Sequence, residues 1–520
     1  MNSSDRDKWC EAAKKEIEEL EGKVTWIEVP MLQARAKIIP GTWVFRVKRN
    51  PSGEITKFKG RYCLRGDLED ENEVEDTFAP TVAWSTVRLF LVLSMILGWT
   101  TASVDFSNAF VQAKLDKPKW MHIPRGFVSK LGPGTCLELK KSIYGGKSAP
   151  ALWNKCAIDG FKKCGFKQST FDPCLLYCKG MMVVLYVDDA GIAAKNPADI
   201  DQLIEELREL GFELKKEGDF TEFLGIKLTK HQDGTIELTQ VGLIDKILEA
   251  AGMTDCNPNR VPASGPLGSD PDGEPMDESW NYRSIVGMLL YLSTNTRPDI
   301  SFAVSQVCRF SADPKQSHAT AVKTILRYLK RTRTKGMSIK PTGKLNLDMF
   351  VDADFCGLFK VEPDTDPKSV KSRTGYVITL SGCPLTWRSQ LQTSITCSTL
   401  EAEYNALSSA LKSLLPLKRM LIEATDETEL DATIKSTISA AAFEDNQGAY
   451  FLATNQRITS RTRWYLNKWH WFWQFVSEDG VGDDKFAVRE IDTSLQDANY
   501  MTKALAAEPF EANRYRVQKW

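Results

Sequence analysis

Three aspartates carry the strongest chemical signal in the 520-residue sequence. Asp188 and Asp189 stand side by side in VVLYVDDAGIAA, and Asp105 stands in TASVDFSNAF, each among β-forming apolar residues. An ionised carboxylate is costly away from water unless a cation or a donor meets it. A turn whose side-chain oxygen caps its own backbone accounts for one acid at such a place, but not for two adjacent ones. On neighbouring strands the three acids make a cluster able to hold two divalent cations. Mg²⁺ is a hard ion that takes carboxylate and phosphate oxygens. Two such ions ~3.5–4 Å apart activate an attacking oxygen and stabilise a leaving one in phosphoryl transfer. The pattern points to a nucleotidyl transferase.

The elements that must position these acids follow from periodicity. LLYC turns at Lys179-Gly180 into the run MMVVLYVDDAGIAA, whose apolar residues saturate both strand faces. Residues 8–21 read as an amphipathic helix, and 42–66 as two strands joined at Asn50-Pro51-Ser52-Gly53. An apolar helix is expected at about 84–98 and another helix at about 198–211. A strand pair at about 221–240 turns at Asp233-Gly234. Residues 262–278, rich in Pro, Gly and Asp with no Lys or Arg, read as a loop. Helical patterns return at about 280–292, 298–310 and 315–332. From about 344 the order becomes strand–strand–strand–helix, a separate α/β unit.

Lys and Arg total 67 against 68 Asp and Glu, a net charge of −1, so a histone-like binder is excluded and any basic surface must be local. The hairpin at 42–66 is such a place. Arg46, Lys48, Arg49, Lys57, Lys59, Arg61 and Arg65 face one acid, Glu54. That charge either protects an edge strand or contacts a polyanion. A second basic run, 327–340, has six cations and no acid. The longest apolar stretch, Leu89 to Trp99, falls short of the ~20 residues of a membrane span. The N-terminus has no apolar signal region. Twelve cysteines are too few for a disulfide scaffold and fit a reducing compartment. Cys174 and Cys178, with Cys156 and Cys164 upstream, read as buried thiols. None of the four histidines (His122, His231, His318, His470) is near enough in sequence to complete a metal set.

The text around the acids resembles one family along essentially the whole chain and in family order. YVDD at 186–189 is similar to the active-site hairpin of reverse transcriptases, and SVDFSNAF at 103–110 to their first catalytic strand. IYGGKSAP (143–150), DTFAPTVAWSTVR (76–88), EFLGIKL (222–228), YLSTNTRPDISFAV (291–304) and ILRYLK (325–330) resemble segments of copia-type LTR retrotransposons. VDADFCG, SRTGYVITLSG, STLEAEYNAL, EDNQGA and TKAL resemble the ribonuclease H portion of the same polyprotein. Neither an integrase-like zinc cluster nor a complete protease site is present, and Ile491-Asp492-Thr493-Ser494 matches a protease triad only by coincidence. The chain looks like a reverse transcriptase–ribonuclease H segment of a longer polyprotein.

The resemblance implies an α+β multidomain chain: a right-hand polymerase with fingers and palm over 1–240, a helical thumb over 241–341, and a ribonuclease H-like α/β domain over 342–520. It implies DNA synthesis on RNA and then DNA templates from dNTPs, with a DNA or tRNA primer and two Mg²⁺ ions per site, replaceable by Mn²⁺. Cytoplasmic virus-like particles are the implied location, with nuclear entry of the complex. Asp105, Asp188 and Asp189 match the polymerase metal ligands. Lys48 and Lys59 or Arg61 match cations that hold the triphosphate, and Tyr144 and Gly145 lie where the incoming nucleotide packs. Phe110 matches an aromatic gate against the ribose 2′-hydroxyl; its plain alternative is a core ring. Leu224 and Gly225 resemble the turn that grips the primer end. Gly146, Ser148 and Ala151 depart from the family's Leu, Gln and Arg.

In the C-terminal part Asp352, Glu403 and Asp445 match ribonuclease H carboxylates that cleave RNA in RNA–DNA hybrids. Glu401 and Glu403 point to different helix faces, and family position favours Glu403. The fourth carboxylate falls on Asn499, a neutral ligand for the second ion, with Asp497 as substitute if that segment is irregular. The implied cleavage is weak in Mg²⁺ and stronger in Mn²⁺. RTRWYLNKWHWFW (461–473) is either an amphipathic helix packed by Trp or a surface placing Arg461, Arg463 and His470 near hybrid phosphates. The rival reading of the whole chain is a decayed or domesticated copy that binds nucleic acid without catalysis. A telomerase-like or group-II-intron-like polymerase is disfavoured by residues 345–505.

Overall fold

The computed structural model describes residues 5–520 apart from 50–54, 71–75, 278, 431, 461 and 466. The turn at Asn50 and the cation Arg461 therefore lie outside the described residues, as does the side chain of Lys48. Two compact units emerge: Met1–Val82 with Thr101–Asp219, and Ala83–Thr100 with Phe220–Trp520. Both mix helices and sheets. Among the described residues no helix is long and apolar enough to cross a membrane.

The first unit centres on a six-stranded sheet ordered Leu214–Gly218, Thr100–Phe106, Asp189–Ala194, Met181–Tyr186, Leu175–Cys178, Lys167–Gln168. Val183, Leu185 and Ile192 share a core with Trp153 and Phe161 of the helix Ala149–Lys163. The helix Pro197–Glu209 adds the stripe Ile200, Leu203, Ile204, Leu207, spaced for one helical face. Phe106 stands among the rings of Trp153, Phe212 and Phe161 at 5.3, 5.9 and 6.2 Å. A second sheet joins Trp26–Pro30, Thr135–Lys141, Lys114–His122 and Ile38–Ile39. The basic hairpin pairs Gly41–Arg49 with Ile55–Leu64 and sets Arg46 opposite Lys59 and Lys48 opposite Lys57. Like charges directly opposite are destabilising, so packing must hold the hairpin. The helix Arg6–Gly22 does so, burying Ala13, Glu16, Ile17 and Leu20. The cysteines are free thiols; burial pushes Cys174 and Cys178 up to about 12.

The second unit holds a four-stranded sheet (Glu222–Phe223, Ile226–Lys230, Ile236–Thr239, Met337–Ile339) and the helices Val241–Ala250, Tyr282–Asn295, Ser301–Cys308 and Gln316–Arg331. It also holds a five-stranded sheet ordered Cys383–Leu391, Arg373–Leu380, Asn346–Asp354, Ser439–Glu444, Ala487–Glu490, beside the long helix Thr399–Glu427. The units part at Asp219/Phe220 rather than at 240, because the strands after 220 form their sheet with Met337–Ile339. No break falls at 341. Trp387 Nε1 donates to Ser293 O at 2.8 Å and Arg373 Nη1 to Ser305 Oγ at 2.7 Å. The helix Trp84–Ile96 joins this unit through buried Arg88, which donates to Leu385 O, Thr294 O and Asn295 O at 2.6–2.7 Å. The described residues of 461–473 form turns, bends and the short 3₁₀ segment Asn467–Trp469, with another beginning at Trp473, and not an amphipathic helix.

Packing in the first unit is tight enough to test. A Cβ on Gly160 would stand 2.4 Å from Phe212 Cε2. Gly160→Ala is expected to cost about 1–3 kcal/mol, seen as a lower denaturant midpoint. An unchanged midpoint would show that Phe212 swings aside freely.

Candidate active sites

In the first unit the chain brings two of the three aspartates to one cleft. Asp105 lies near the end of its strand, and the Phe106 N–H donates to Asp188 O at 2.7 Å, which zips that strand to the neighbouring turn. Tyr186 pairs with Asp189, so Val187 and Asp188 form a two-residue turn. Val187 sits at φ +51°, a conformation costly for a β-branched residue. Trp153 Nε1 anchors it, donating to Val187 O at 2.5 Å. Asp188 is thereby held at the tip while Asp189 begins the next strand.

A cleft of about 440 Å³ is lined by Asp105 and Asp188 together with Lys57, Lys59, Arg61 and Tyr144. Arg61 stacks over the Tyr144 ring at 4.8 Å, and burial beside the aspartates pushes the Tyr144 hydroxyl up to about 12. Phe110 does not continue the strand. Asn108 turns left-handed at φ +53°, a 3₁₀ segment Ala109–Gln112 follows, and the half-buried Phe110 ring meets Tyr144 edge-on at 5.0 Å. Gly145 packs against the basic hairpin, where a Cβ would stand 2.2 Å from Leu64 O, and Leu64 N–H donates to Tyr144 O at 2.8 Å. Sequence reasoning missed Glu16, which also lines the cleft. Its Oε1 accepts the Tyr62 N–H at 3.3 Å, and burial holds its carboxyl above the usual range despite Lys59 and Arg61. A charge on an otherwise apolar helix stripe was the available signal.

Leu224 and Gly225, at φ +52° and +74°, form a tight turn in the second unit, where Tyr291 Oη donates to Leu224 O at 2.8 Å. Arg463 is exposed and stacks over Trp464 at 5.0 Å. His470 is turned inward: Nδ1 shares a hydrogen bond of 2.9 Å with Tyr404 Oη, and burial lowers its pKa. It therefore does not present a charge to solvent phosphates.

The second centre lies where parallel strands end. Phe350 pairs with Phe443, so Asp352 and Asp445, two residues further on each, come level. Glu403 approaches from the helix that Ser398 caps by accepting the Glu401 N–H. Among the described residues, Asp352, Glu403 and Asp445 are the one acidic trio whose oxygens lie within 4.8 Å of one another. Glu401 instead accepts the Cys397 N–H at 2.7 Å. Burial raises the carboxyls of Asp352 and Glu403, the latter further through its acidic neighbours. Thr502 Oγ1 donates to Asp352, and Lys503 Nζ stands 3.9 Å from it. Asn499 Nδ2 donates to Thr493 O at 2.8 Å, and Asp497 accepts from Arg516 Nε at 2.5 Å. Asp497 is thus ion-paired to an arginine. Glu403 Oε2 is buried without a hydrogen-bond partner. Converging acids with such an oxygen fit a bound hard cation.

Residues 24–265 match the family model described as Reverse transcriptase (RNA-dependent DNA polymerase). The retrovirus-related Pol polyprotein from transposon RE1 of Arabidopsis thaliana is 29% identical over 97% of this chain and 33% of its own length. That from transposon TNT 1-94 of Nicotiana tabacum is 29% identical over 98% of this chain and 38% of its own. The chain thus spans about a third of these relatives. A solved foamy viral protease–reverse transcriptase in complex with double-stranded DNA aligns over 94% of this chain and 70% of that one, at 14% identity and a TM-score of 0.49. The putative transposon Ty5-1 protein of Saccharomyces cerevisiae is 31% identical over 58% of this chain and 97% of its own length. With a relative of that identity covered almost end to end, the chain belongs to the copia-type retrotransposon Pol family.

Proposed function

We propose that the chain is an RNA- and DNA-dependent DNA polymerase whose second unit cleaves RNA in RNA–DNA hybrids. The observation that carries the first activity is the cleft that Asp105 and Asp188 line together with Lys59 and Arg61. Carboxylates and cations in one cleft suit a triphosphate: the cations bind its non-bridging oxygens, and the acids hold the ions that bind the same group. Asp105 and Asp188, the two aspartates that line the cleft, would hold Mg²⁺, which when bound lowers the charge repulsion between an attacking hydroxyl and the phosphate. Lys59 and Arg61 orient the triphosphate, while Tyr144 and the Phe110 ring against it form a wall for the sugar. The primer 3′-hydroxyl forms the new P–O bond at the α-phosphate, and pyrophosphate leaves. In the second unit Asp352, Glu403 and Asp445 would hold the cations that supply an activated water for hydrolysis, and exposed Arg463 would contact hybrid phosphate. RNA template, DNA or tRNA primer, hybrid and dNTPs are the partners on this reading.

Primer extension on an RNA template decides between this reading and a non-catalytic nucleic-acid binder. Asp188→Asn is expected to cut synthesis by about 10²-fold or more, as loss of a preorganised charge does. Template–primer binding should stay within a few-fold, because phosphate contacts by Lys and Arg dominate it. Synthesis retained in this variant would remove Asp188 from the site, and no synthesis by the parent would favour the binder. Phe110→Val is expected to raise ribonucleotide incorporation; unchanged discrimination would return Phe110 to the core.

Glu16→Ala is expected to cost about 1–3 kcal/mol, since it strands the Tyr62 N–H. Because that bond sets the height of the strand bearing Lys59 and Arg61, KM for dNTP should rise more than kcat falls. An unchanged KM would show that the hairpin keeps its place without Glu16.

A further inference from the structure

The Tyr144 wall of the first cleft rides on a turn that is weak in itself. Two glycines follow the ring, Gly145 at φ +87° and then Gly146. Glycine leaves a backbone free to move. The turn's own main-chain bonds, Gly146 N–H to Ile143 O and Ala149 N–H to Gly146 O, are both 3.2 Å long. On one side Leu64 N–H holds Tyr144 O at 2.8 Å. The other side is held by Glu69, which follows the basic hairpin and is 6% exposed. Its Oε2 accepts the Lys147 N–H at 2.7 Å, and its Oε1 is ion-paired to Lys119 of the strand Lys114–His122. Lys119 Nζ also donates to Ser148 Oγ at 3.2 Å. Between the two anchor points the backbones touch: a Cβ on Gly66 would stand 2.1 Å from Gly145 O.

One buried carboxylate thus gathers the end of the hairpin, a strand of the neighbouring sheet and the turn that bears the wall. Its two bonds do different work. An ammonium on a flexible four-carbon stem can follow a carboxylate, whereas a main-chain N–H is a fixed target, so an acceptor set against it fixes the backbone. We propose that Glu69 is a positioning residue for the incoming nucleotide. Through the Lys147 N–H it keeps the glycine turn docked on the hairpin, so that Tyr144 stays under Arg61, 4.8 Å away, and beside Lys59 in the cleft. This rests on the reading of Lys59, Arg61 and Tyr144 as the seat of the dNTP.

The test is steady-state primer extension by the full chain with dTTP as the varied substrate, beside thermal unfolding of each variant. Arg61→Ala is the control for the underlying reading: it should raise KM, and an unchanged KM would overturn the dNTP seat whatever Glu69 does. With the control met, Glu69→Asp keeps a charge that Lys119 can follow but draws the carboxylate one methylene back from the fixed N–H. Its KM should rise about fivefold, the worth of one hydrogen bond, while kcat stays within about twofold and the melting temperature barely moves. Two double variants separate the hydrogen bond from the ion pair. In E69Q/K119M the amide oxygen can still accept the Lys147 N–H, whereas in E69L/K119M nothing can. Both lose the same buried pair, yet KM should stay near parental in the first and rise about fivefold in the second. A merely structural role would move both alike. Parental KM in Glu69→Asp, or equal KM in the two double variants, would overturn the proposal. Should E69L/K119M fail to fold, Glu69→Asp decides alone.

Discussion

Carboxylates drawn together out of water lose hydration and repel one another, and each centre of this chain is arranged around that cost. The two meet it differently. Asp105 and Asp188 stay half-buried in an open cleft that Lys57, Lys59 and Arg61 also line. Asp352, Glu403 and Glu444 are deeply buried, and of the described cations Lys503 is the one ion-paired to them, at 3.9 Å from Asp352. The first arrangement leaves room and counter-charge for a mobile polyanion. The second leaves acid in excess, a setting in which a resident cation is the simplest compensation.

Holding acids in such places requires strong scaffolding nearby. Val187 tolerates its left-handed conformation because a buried indole holds its carbonyl and the strands on either side are locked by apolar burial. The strain fixes Asp188 at the tip of the turn, where a relaxed loop would let it retreat toward solvent. Gly145 performs a related service: the absence of a Cβ lets its backbone meet Leu64, so the Tyr144 wall and the cationic strand move as one piece.

How much of this was legible in the sequence depended on range. The hairpin around Asp188 was legible because two saturated apolar runs admit few arrangements, whereas Asp352 and Asp445 were named through the family resemblance and their parallel register is seen only in the fold. The placement of Phe110 was not, because it turns on one left-handed residue, Asn108, whose type permits that conformation without demanding it. The aromatic run at 461–473 left a Trp-packed helix and a phosphate-facing surface open, because recurrence alone does not fix a period; in the fold Tyr465, His470 and Phe472 each pack on Tyr404. Glu16 escaped because it occupies an apolar position, where pattern alone offers no way to tell a functional acid from an error of register.

The unit boundaries were the least legible feature, for a reason that bears on function. Arg88 carries its charge into the interior without an ion-paired acid: its Nη groups donate to three main-chain carbonyls, its buried Nε has no partner, it stacks over Trp387 at 4.2 Å, and desolvation lowers its pKa to about 9. Two of those carbonyls, Thr294 and Asn295, belong to the helical part, and the third, Leu385, to the α/β part. Separating the parts would strand a guanidinium in the core. Arg297 and Asp299 add a fully buried ion pair whose carboxylate also accepts from Tyr328 of the helix Gln316–Arg331 and Gln518 of the helix Ala507–Gln518. Breaking such a pair costs about 3–5 kcal/mol. A helical part tied this way does not hinge freely from the five-stranded sheet, so any movement of that part carries Asp352, Glu403 and Asp445 with it.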